Sequence, residues 1–214
     1  MKRGKFIVIE GINGCGKGTQ LERLVGLIHG ADKYSTIFVT REPNNFDKNG
    51  IKAREMLAQD GDPYKNAESA VEYFARNRQF HNAQFILPMI EKGIHVVSDR
   101  YWYSNFAFQH AQGIPYEKIA EANRRSRSPE LTLIIDVPAE VAAERLIKRD
   151  GEQRRKFDNN IEFLEKVRQN YLELPEVLPS LIQDRSIVLI KGNRDIEAVW
   201  EDIKDAYSSA FKSC

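Results

Sequence analysis

A glycine-rich segment near the start of the chain carries the residue types that bind phosphate groups. Gly11, Gly16 and Lys17 follow the spacing G-x-x-x-x-G-K, in which backbone N–H groups surround phosphate oxygens and the lysine contacts the β- and γ-phosphates. The hydroxyl residue expected directly after the lysine is absent, because Gly18 stands there and Thr19 follows it. The segment therefore predicts nucleoside triphosphate binding with a metal arrangement that differs from the usual one.

Two arginines follow other short apolar segments of the chain. Arg41 comes after residues 36–40, and Arg100 comes after residues 95–99. If these segments are parallel strands, both arginines lie at the carboxyl edge of the sheet, where ligands bind. A planar guanidinium binds phosphate through two hydrogen bonds, so the pair predicts a second anion besides the triphosphate. A structural ion pair is the alternative for either arginine taken alone.

Short apolar segments alternate with longer helical patterns along the chain. The predicted strands, all rich in Ile or Val, are residues 6–10, 36–40, 95–99, 131–136 and 187–191. The predicted helices are residues 21–29, 50–59, 67–91, 116–125, 139–148, 161–174 and 196–211. This alternation predicts an α/β fold of P-loop NTPase type, a three-layer sandwich in which helices flank a five-stranded parallel sheet.

Composition narrows the possible functions. The chain has 214 residues, which suit one α/β domain with a substantial core. Its 32 Lys and Arg against 31 Asp and Glu leave a net charge of +1, which argues against a dedicated nucleic-acid-binding protein. The sequence has no long apolar run and no signal-like start, so no membrane association is expected. Two cysteines make no disulfide framework, and a reducing, cytoplasmic location is expected.

The order of the motifs resembles that of thymidylate kinases. The matching segments, which together span nearly the whole chain, are residues 11–19, 40–43, 74–78, 99–101, 104–108, 129–132 and 167–171. The phosphate loop alone occurs in many families, whereas Arg-Glu-Pro, Phe-x-x-x-Arg and Asp-Arg-Tyr in this order are far more specific. The resemblance implies a homodimeric enzyme that uses ATP and Mg²⁺ to phosphorylate dTMP to dTDP, on the pathway to dTTP.

The resemblance also implies an acceptor site. Phe74 would stack on the thymine ring, Arg78 would donate to a base carbonyl, and Phe108 would crowd the 2′ position of the sugar. The residues implied to bind dTMP are Arg41, Phe74, Arg78, Arg100, Ser104, Asn105, Phe108 and Tyr171. Arg41 and Arg100 would hold the monophosphate. A core aromatic residue is the alternative for Phe74.

A donor site and catalytic groups are implied in the same way. The residues implied to bind ATP are Gly11, Asn13, Gly14, Cys15, Gly16, Lys17, Gly18, Thr19 and Arg145. The implied catalytic residues are Lys17, Asp99, Arg100, Arg154 and Arg155. Asp99 would also orient a water molecule of the Mg²⁺ shell. Arg145 would stack on the adenine ring, and an ion pair with Glu140 or Glu144 is the alternative.

The charged segment 148–158 resembles the lid of these kinases. The phosphate loop contains no arginine, so the resemblance places the arginine for the transferring phosphoryl group in the lid, where Arg154 and Arg155 both fit. A solvated loop is the alternative. Asn13 departs from the family, which commonly has an acidic residue there, and Gly18 followed by Thr19 is more like adenylate kinases. Both departures concern metal geometry and sugar preference.

Two other functions stay open from the sequence. One is a kinase for a different nucleoside monophosphate or for a deoxynucleoside, and the other is a P-loop module that binds nucleotide without phosphorylating a small molecule. Arg41 and Arg100 favour an acceptor that already carries phosphate. The lid arginines and the base-binding residues argue against the module. The whole chain, residues 1–214, is expected to form a single kinase domain.

Overall fold

The computed structural model describes residues 3–58, 62–150, 157 and 160–211. These residues form a five-stranded parallel sheet with the strand order β2-β3-β1-β4-β5. The strands are β1 Phe6–Glu10, β2 Ile37–Arg41, β3 His95–Asp99, β4 Leu131–Asp136 and β5 Ile187–Lys191. The α/β fold and its five parallel strands are confirmed, and β2 lies one residue later than predicted.

Helices connect the strands. Their bounds are α1 Lys17–Ala31, α2 Lys48–Ala58, α3 Ala67–His81, α4 Leu87–Glu91, α5 Trp102–Ala111, α6 Tyr116–Asn123, α7 Ala139–Asp150, α8 Ile161–Leu181 and α9 Ile196–Phe211. A π-helical turn, Asn82–Ile86, joins α3 to α4, so the segment predicted as one helix is helical throughout. Among the described helices, none combines the length and the apolar character needed to cross a membrane.

Strand β1 lies at the centre of the fold and positions the site. Its five residues are all buried, as expected for a parallel strand that has helices on both faces. It pairs with β3 on one side, where Ile7 faces Val97, and with β4 on the other, where Ile7 faces Leu131. After β1, the chain forms β2 and β3 on one side of it and then β4 and β5 on the other side. Ligands bind at such a point of reversal, beyond the carboxyl ends of the strands.

Helix α5 is the element that the sequence did not predict. Its aromatic residues Trp102, Tyr103, Phe106 and Phe108 are buried, and so are polar residues of the same helix, including Asn105. A helix that is buried nearly all round shows no apolar stripe against a polar face, so it lacks the usual helical pattern. The helix begins just after Arg100, which has a φ of 73°.

Helix α8 continues beyond the proline at which it was predicted to end. It spans Ile161–Leu181 and includes Pro175 and Pro179. A proline inside a helix removes one backbone hydrogen bond, but Leu174 and Leu178 are fully buried on either side of Pro175. Their packing keeps the last turns of the helix against the core.

Candidate active site

The glycine-rich loop connects β1 to α1. Gly11, Gly14 and Gly16 have φ values of 135°, 85° and 99°, in a region that residues with a Cβ atom rarely adopt. Space also requires glycine, because a Cβ atom at Gly14 would lie 2.3 Å from the carbonyl oxygen of Ala142. The loop therefore brings its backbone close to α7 and leads directly into the N-terminus of α1, where N–H groups attract anions.

Lys17 lies over this loop. Its Nζ atom donates to the carbonyl oxygens of Gly11 and Ile12, both at 2.9 Å, and the side chain is buried. Burial lowers the pKa of Lys17, and the positive charge of Arg100 lowers it further. The ammonium group is thus held in place and is electrostatically suited to a polyanion, whose negative charge would raise the pKa of Lys17 again.

Glu10, at the carboxyl end of β1, is fully buried and organises the residues around it. Its carboxylate accepts hydrogen bonds from the backbone of Tyr101 at 2.8 Å, from the backbone of Ser104 at 3.1 Å and from the Tyr171 hydroxyl at 2.8 Å. Arg100 Nη1 lies 3.6 Å away. Burial raises the pKa of Glu10, while the charge of Arg100 opposes the rise. No role for Glu10 was predicted from the sequence, although a charged residue that ends an apolar strand is a signal of one.

Arg100 projects across the site from the start of α5. Its Nη1 atom donates to Ser104 Oγ at 2.9 Å and to the Tyr171 hydroxyl at 3.2 Å, and its Nη2 atom donates to Asn13 Oδ1 at 2.7 Å. Its guanidinium also lies 5.6 Å from the ring centroid of Phe108. Burial disfavours the charge, but Tyr171 and the nearby carboxylates hold the pKa of Arg100 above its ordinary value. Arg100 therefore stays positively charged beside the phosphate loop.

Asp99 and Arg41 form an ion pair at the same edge of the sheet. Arg41 donates to Asp99 Oδ2 through Nε at 2.9 Å and through Nη2 at 2.6 Å. Asp99 Oδ1 is buried and has no hydrogen-bond partner among the described residues. Such an oxygen fits a water molecule in the shell of a divalent cation. The described residues contain no cluster of three His, Cys, Asp or Glu that could hold a metal, so phosphate oxygens and water would supply most of its ligands.

The charge of Asp99 predicts a pH-dependent stability difference. Burial would raise its pKa, but Lys17, Arg100 and Arg41 hold it below its usual value. Such a carboxylate stabilises the fold above its unfolded-state pKa, and this contribution is lost as the pH falls through the folded-state pKa. We expect Asp99→Asn to lower the free energy of unfolding at neutral pH by about 2 kcal/mol. In urea denaturation, this deficit should shrink below about pH 4; a constant deficit would contradict the prediction.

Arg78 and Phe74 lie on α3 at the other end of the site. Arg78 is buried, and its Nε atom donates to Glu42 Oε2 at 2.6 Å. Its Nη1 atom donates to Asn105 Oδ1 at 2.6 Å and to Asn123 Oδ1. These bonds fix the plane of the guanidinium and do not use its Nη2 donors. Phe74 is buried in a small apolar cluster and also lines the site.

A single cavity of about 670 Å³ joins these groups. The predicted site residues that line it are Asn13, Gly14, Cys15, Gly16, Lys17, Gly18, Thr19, Arg41, Phe74, Arg78, Asp99, Arg100, Ser104, Asn105, Phe108 and Arg145. Gly11 and Tyr171 line a smaller cavity instead, and Tyr171 reaches the site through its hydroxyl. Arg154 and Arg155 lie outside the described residues. The structure thus brings together the predicted donor and acceptor residues that it describes.

Several residues that line the cavity were not predicted. Gln109 lies on the unpredicted helix α5. Arg194 follows the carboxyl end of β5, and residues at such strand ends are expected to line a ligand site. Arg145, which was predicted, lines the same end of the cavity and donates to the carbonyl oxygen of Gly192 at 3.4 Å. The end of the cavity near α7 and β5 is therefore richer in arginine than predicted.

Comparison with known proteins gives a consistent result. The family model described as thymidylate kinase matches residues 9–203. The probable thymidylate kinase of Pyrococcus horikoshii is 35% identical over 182 residues, which cover 84% of this chain and 86% of the relative. The thymidylate kinase of Nitrosomonas europaea is 34% identical over 215 residues, covering 96% and 98%. That of Carboxydothermus hydrogenoformans is 32% identical over 206 residues, covering 94% and 96%.

Proposed function

Because the chain belongs to the thymidylate kinase family, we propose that it transfers the γ-phosphoryl group of ATP to dTMP and releases dTDP and ADP. An oxygen of the dTMP phosphate would attack the γ-phosphorus, and the bond to the bridging oxygen of ADP would break. One observation carries the proposal. A continuous cavity connects the phosphate loop to a pocket with a buried arginine and an aromatic ring, and Arg41 and Arg100 lie along it.

Phosphoryl transfer depends on positioning and charge more than on covalent chemistry. We assign donor binding to the loop and Lys17, whose Nζ atom lies at the carbonyl oxygens of Gly11 and Ile12. Mg²⁺, when bound, would neutralise charge on the transferred phosphoryl group, and Asp99 Oδ1 would accept from a water of its shell. Arg41 and Arg100 would hold the acceptor phosphate, because a guanidinium binds phosphate oxygens in pairs.

The base end of the cavity suits a pyrimidine. Phe74 offers a ring face for stacking, and Arg78 Nη2, which makes no hydrogen bond to a described residue, would donate to a base oxygen. Phe108 lines the same cavity, and its ring centroid lies 5.6 Å from the guanidinium of Arg100. We propose that it restricts the space at the 2′ position and favours deoxyribose.

We also propose that residues 1–214 act as one kinase domain and that segment 148–158 closes over the site as a lid. Arg154 or Arg155 would then contact the transferring phosphoryl group. Two described residues of this segment support the proposal. Arg149 lines the cavity, and the ring of Phe157 lies 5.2 Å from that of Phe108.

A homodimer in the cytoplasm is the proposed working form. Exposed aromatic side chains support an interface near α3. Phe46 is 51% exposed and Phe80 is 36% exposed, and the Phe46 ring packs at 4.6 Å against that of Phe85. The rings of Phe46 and Phe80 both contact that of Phe85, and such a cluster of exposed rings is of the kind that a second copy covers.

The acceptor decides between this function and its alternatives. In an assay that couples ADP release to a signal, we expect turnover with dTMP to exceed turnover with CMP, AMP or thymidine by at least about tenfold. A reaction without acceptor measures background hydrolysis. Equal turnover across the panel would overturn the assignment of dTMP. ADP release that no acceptor stimulates would indicate a nucleotide-binding module.

A further inference from the structure

A continuous chain of hydrogen bonds begins at the base end of the cavity and ends at Pro63. Asn105 Oδ1 accepts from Arg78 Nη1 at 2.6 Å, and Asn105 Nδ2 donates to Gln109 Oε1 at 2.9 Å. Gln109 Nε2 donates to Gln112 Oε1 at 3.0 Å, and Gln112 Nε2 donates to the carbonyl oxygen of Pro63. We call the three side chains Asn105, Gln109 and Gln112 the amide chain.

The two ends fix the direction of the amide chain. The guanidinium of Arg78 can only donate, and the carbonyl of Pro63 can only accept. Turning over any one amide would place donor against donor on one side and acceptor against acceptor on the other. Each such mismatch leaves polar groups unsatisfied, which is costly inside a protein. The oxygen of Asn105 is therefore held toward Arg78.

The position of the amide chain along α5 and at the residue directly after it explains why it forms. Asn105, Gln109 and Gln112 are separated by four and then three residues, so they lie on one face of the helix. Arg78, Asn105 and Gln109 are each 2% exposed, and Gln112 is half-buried. Because these side chains are buried, a donor or acceptor left without a partner among them would be costly. The outer end is open enough to accept substitution without disturbing the core.

A second amide, that of Asn123, also turns its oxygen toward Arg78. Asn123 Nδ2 donates to the carbonyl oxygen of Ile119 at 2.8 Å, so its oxygen also faces Arg78 Nη1. Two amide oxygens thus meet one guanidinium. If Asn105 turned over, its NH₂ group would face a cation.

We infer that Gln112 is a positioning residue for the selection of the acceptor base, although it is not among the described residues that line the cavity. By fixing Asn105, it keeps an acceptor next to the donors of Arg78. This order matches thymine, in which a carbonyl oxygen stands next to a ring N–H group. Cytosine presents the reverse, an amino group next to an unprotonated ring nitrogen. The inference rests on the proposed function and deepens it.

Three variants of Gln112 test the direction of the amide chain. Gln112→Met removes the acceptor for Gln109, Gln112→Lys replaces it with a donor, and Gln112→Glu keeps an oxygen there. The measured quantity is the ratio of kcat/KM for dTMP to kcat/KM for dCMP, with ATP and Mg²⁺ saturating. Gln169→Met, an exposed glutamine that contacts Glu165 on α8, is the matched control.

The expected ratios follow from the bonding. Gln112→Met should lower the ratio by roughly threefold to tenfold, the effect of about one hydrogen bond, and Gln112→Lys should lower it further. Gln112→Glu and Gln169→Met should keep the wild-type ratio, and the KM for ATP should not change in any variant. A purely structural loss would lower kcat for both acceptors alike.

Two results would overturn the inference alone. One is a wild-type ratio in both Gln112→Met and Gln112→Lys, and the other is an equal fall in Gln112→Glu and Gln112→Met. Failure of the wild-type protein to phosphorylate dTMP would overturn the proposed function, and the inference with it, before any variant is made.

Discussion

Replacing Glu10 with leucine is expected to lower the free energy of unfolding by about 3–5 kcal/mol, because it removes one partner of a buried ion pair and leaves the other uncompensated. Glu10 is fully buried, and Arg100 lies 3.6 Å from it. Leucine would also leave the backbone N–H group of Tyr101 without the acceptor it has in Glu10, and it would remove one acceptor each of the Ser104 N–H group and the Tyr171 hydroxyl. Denaturant unfolding followed by circular dichroism measures the loss.

Two variants control this prediction. Glu10→Gln keeps the shape and one accepting oxygen but loses the charge, so its stability should lie between those of Glu10→Leu and the wild type. Glu22→Leu, at an exposed position on α1, should change the free energy of unfolding by no more than about 0.5 kcal/mol. If Glu10→Leu were no more destabilising than Glu22→Leu, the buried carboxylate would not hold the site together.

The same substitution should reach the chemistry through Arg100. Three of the groups that bind Glu10, namely Arg100, Ser104 and Tyr171, also bind one another. Losing the carboxylate loosens all three at once, on the side where the acceptor phosphate is proposed to bind. Glu10, at the carboxyl end of β1, is therefore expected both to stabilise the fold and to position the residues that would bind the acceptor phosphate.

The parallel sheet and the residues at its carboxyl edge could be predicted from the sequence. Short runs of Ile and Val predicted the five strands, because a parallel strand buried on both faces is apolar along its whole length. The rule that ligands bind beyond the strand ends placed Arg41 and Arg100 beside the phosphate loop, and both line the cavity with Lys17. These inferences depend on local pattern and topology, which a single sequence carries.

The remaining features depend on contacts between distant parts of the chain. Glu10 bonds to Tyr171, 161 residues away, and no local pattern indicates that pairing. Helix α5 was missed because burial on nearly all sides removed its polar face, and the amide chain was missed with it. For Arg145, the alternative expected from the sequence was an ion pair with a glutamate nearby in the chain. In the fold, Arg145 donates to the carbonyl oxygen of Gly192, 47 residues away. Residues that act through partners elsewhere in the sequence become visible only in the fold.

Replacing Lys17 with methionine is expected to lower kcat by roughly 10²- to 10³-fold, the usual effect of removing one preorganised group that stabilises developing charge. Lys17 is buried over the phosphate loop, and its Nζ atom is held by the carbonyl oxygens of Gly11 and Ile12. No other described lysine lines the cavity. Steady-state kinetics with ATP and dTMP measure the loss.

Stability separates this catalytic effect from damage to the fold. Burial lowers the pKa of Lys17, which means that the folded protein holds the charged ammonium at a cost. Methionine carries no charge and fills similar space. Removing the buried charge therefore offsets the loss of the donor to the carbonyl oxygens of Gly11 and Ile12, and Lys17→Met should unfold at a denaturant concentration close to that of the wild type. Lys166→Met, at a side chain 52% exposed, should retain wild-type kcat. A stable Lys17→Met protein with kcat within about tenfold of wild type would contradict the role of Lys17, because the loop alone would then hold and activate the donor.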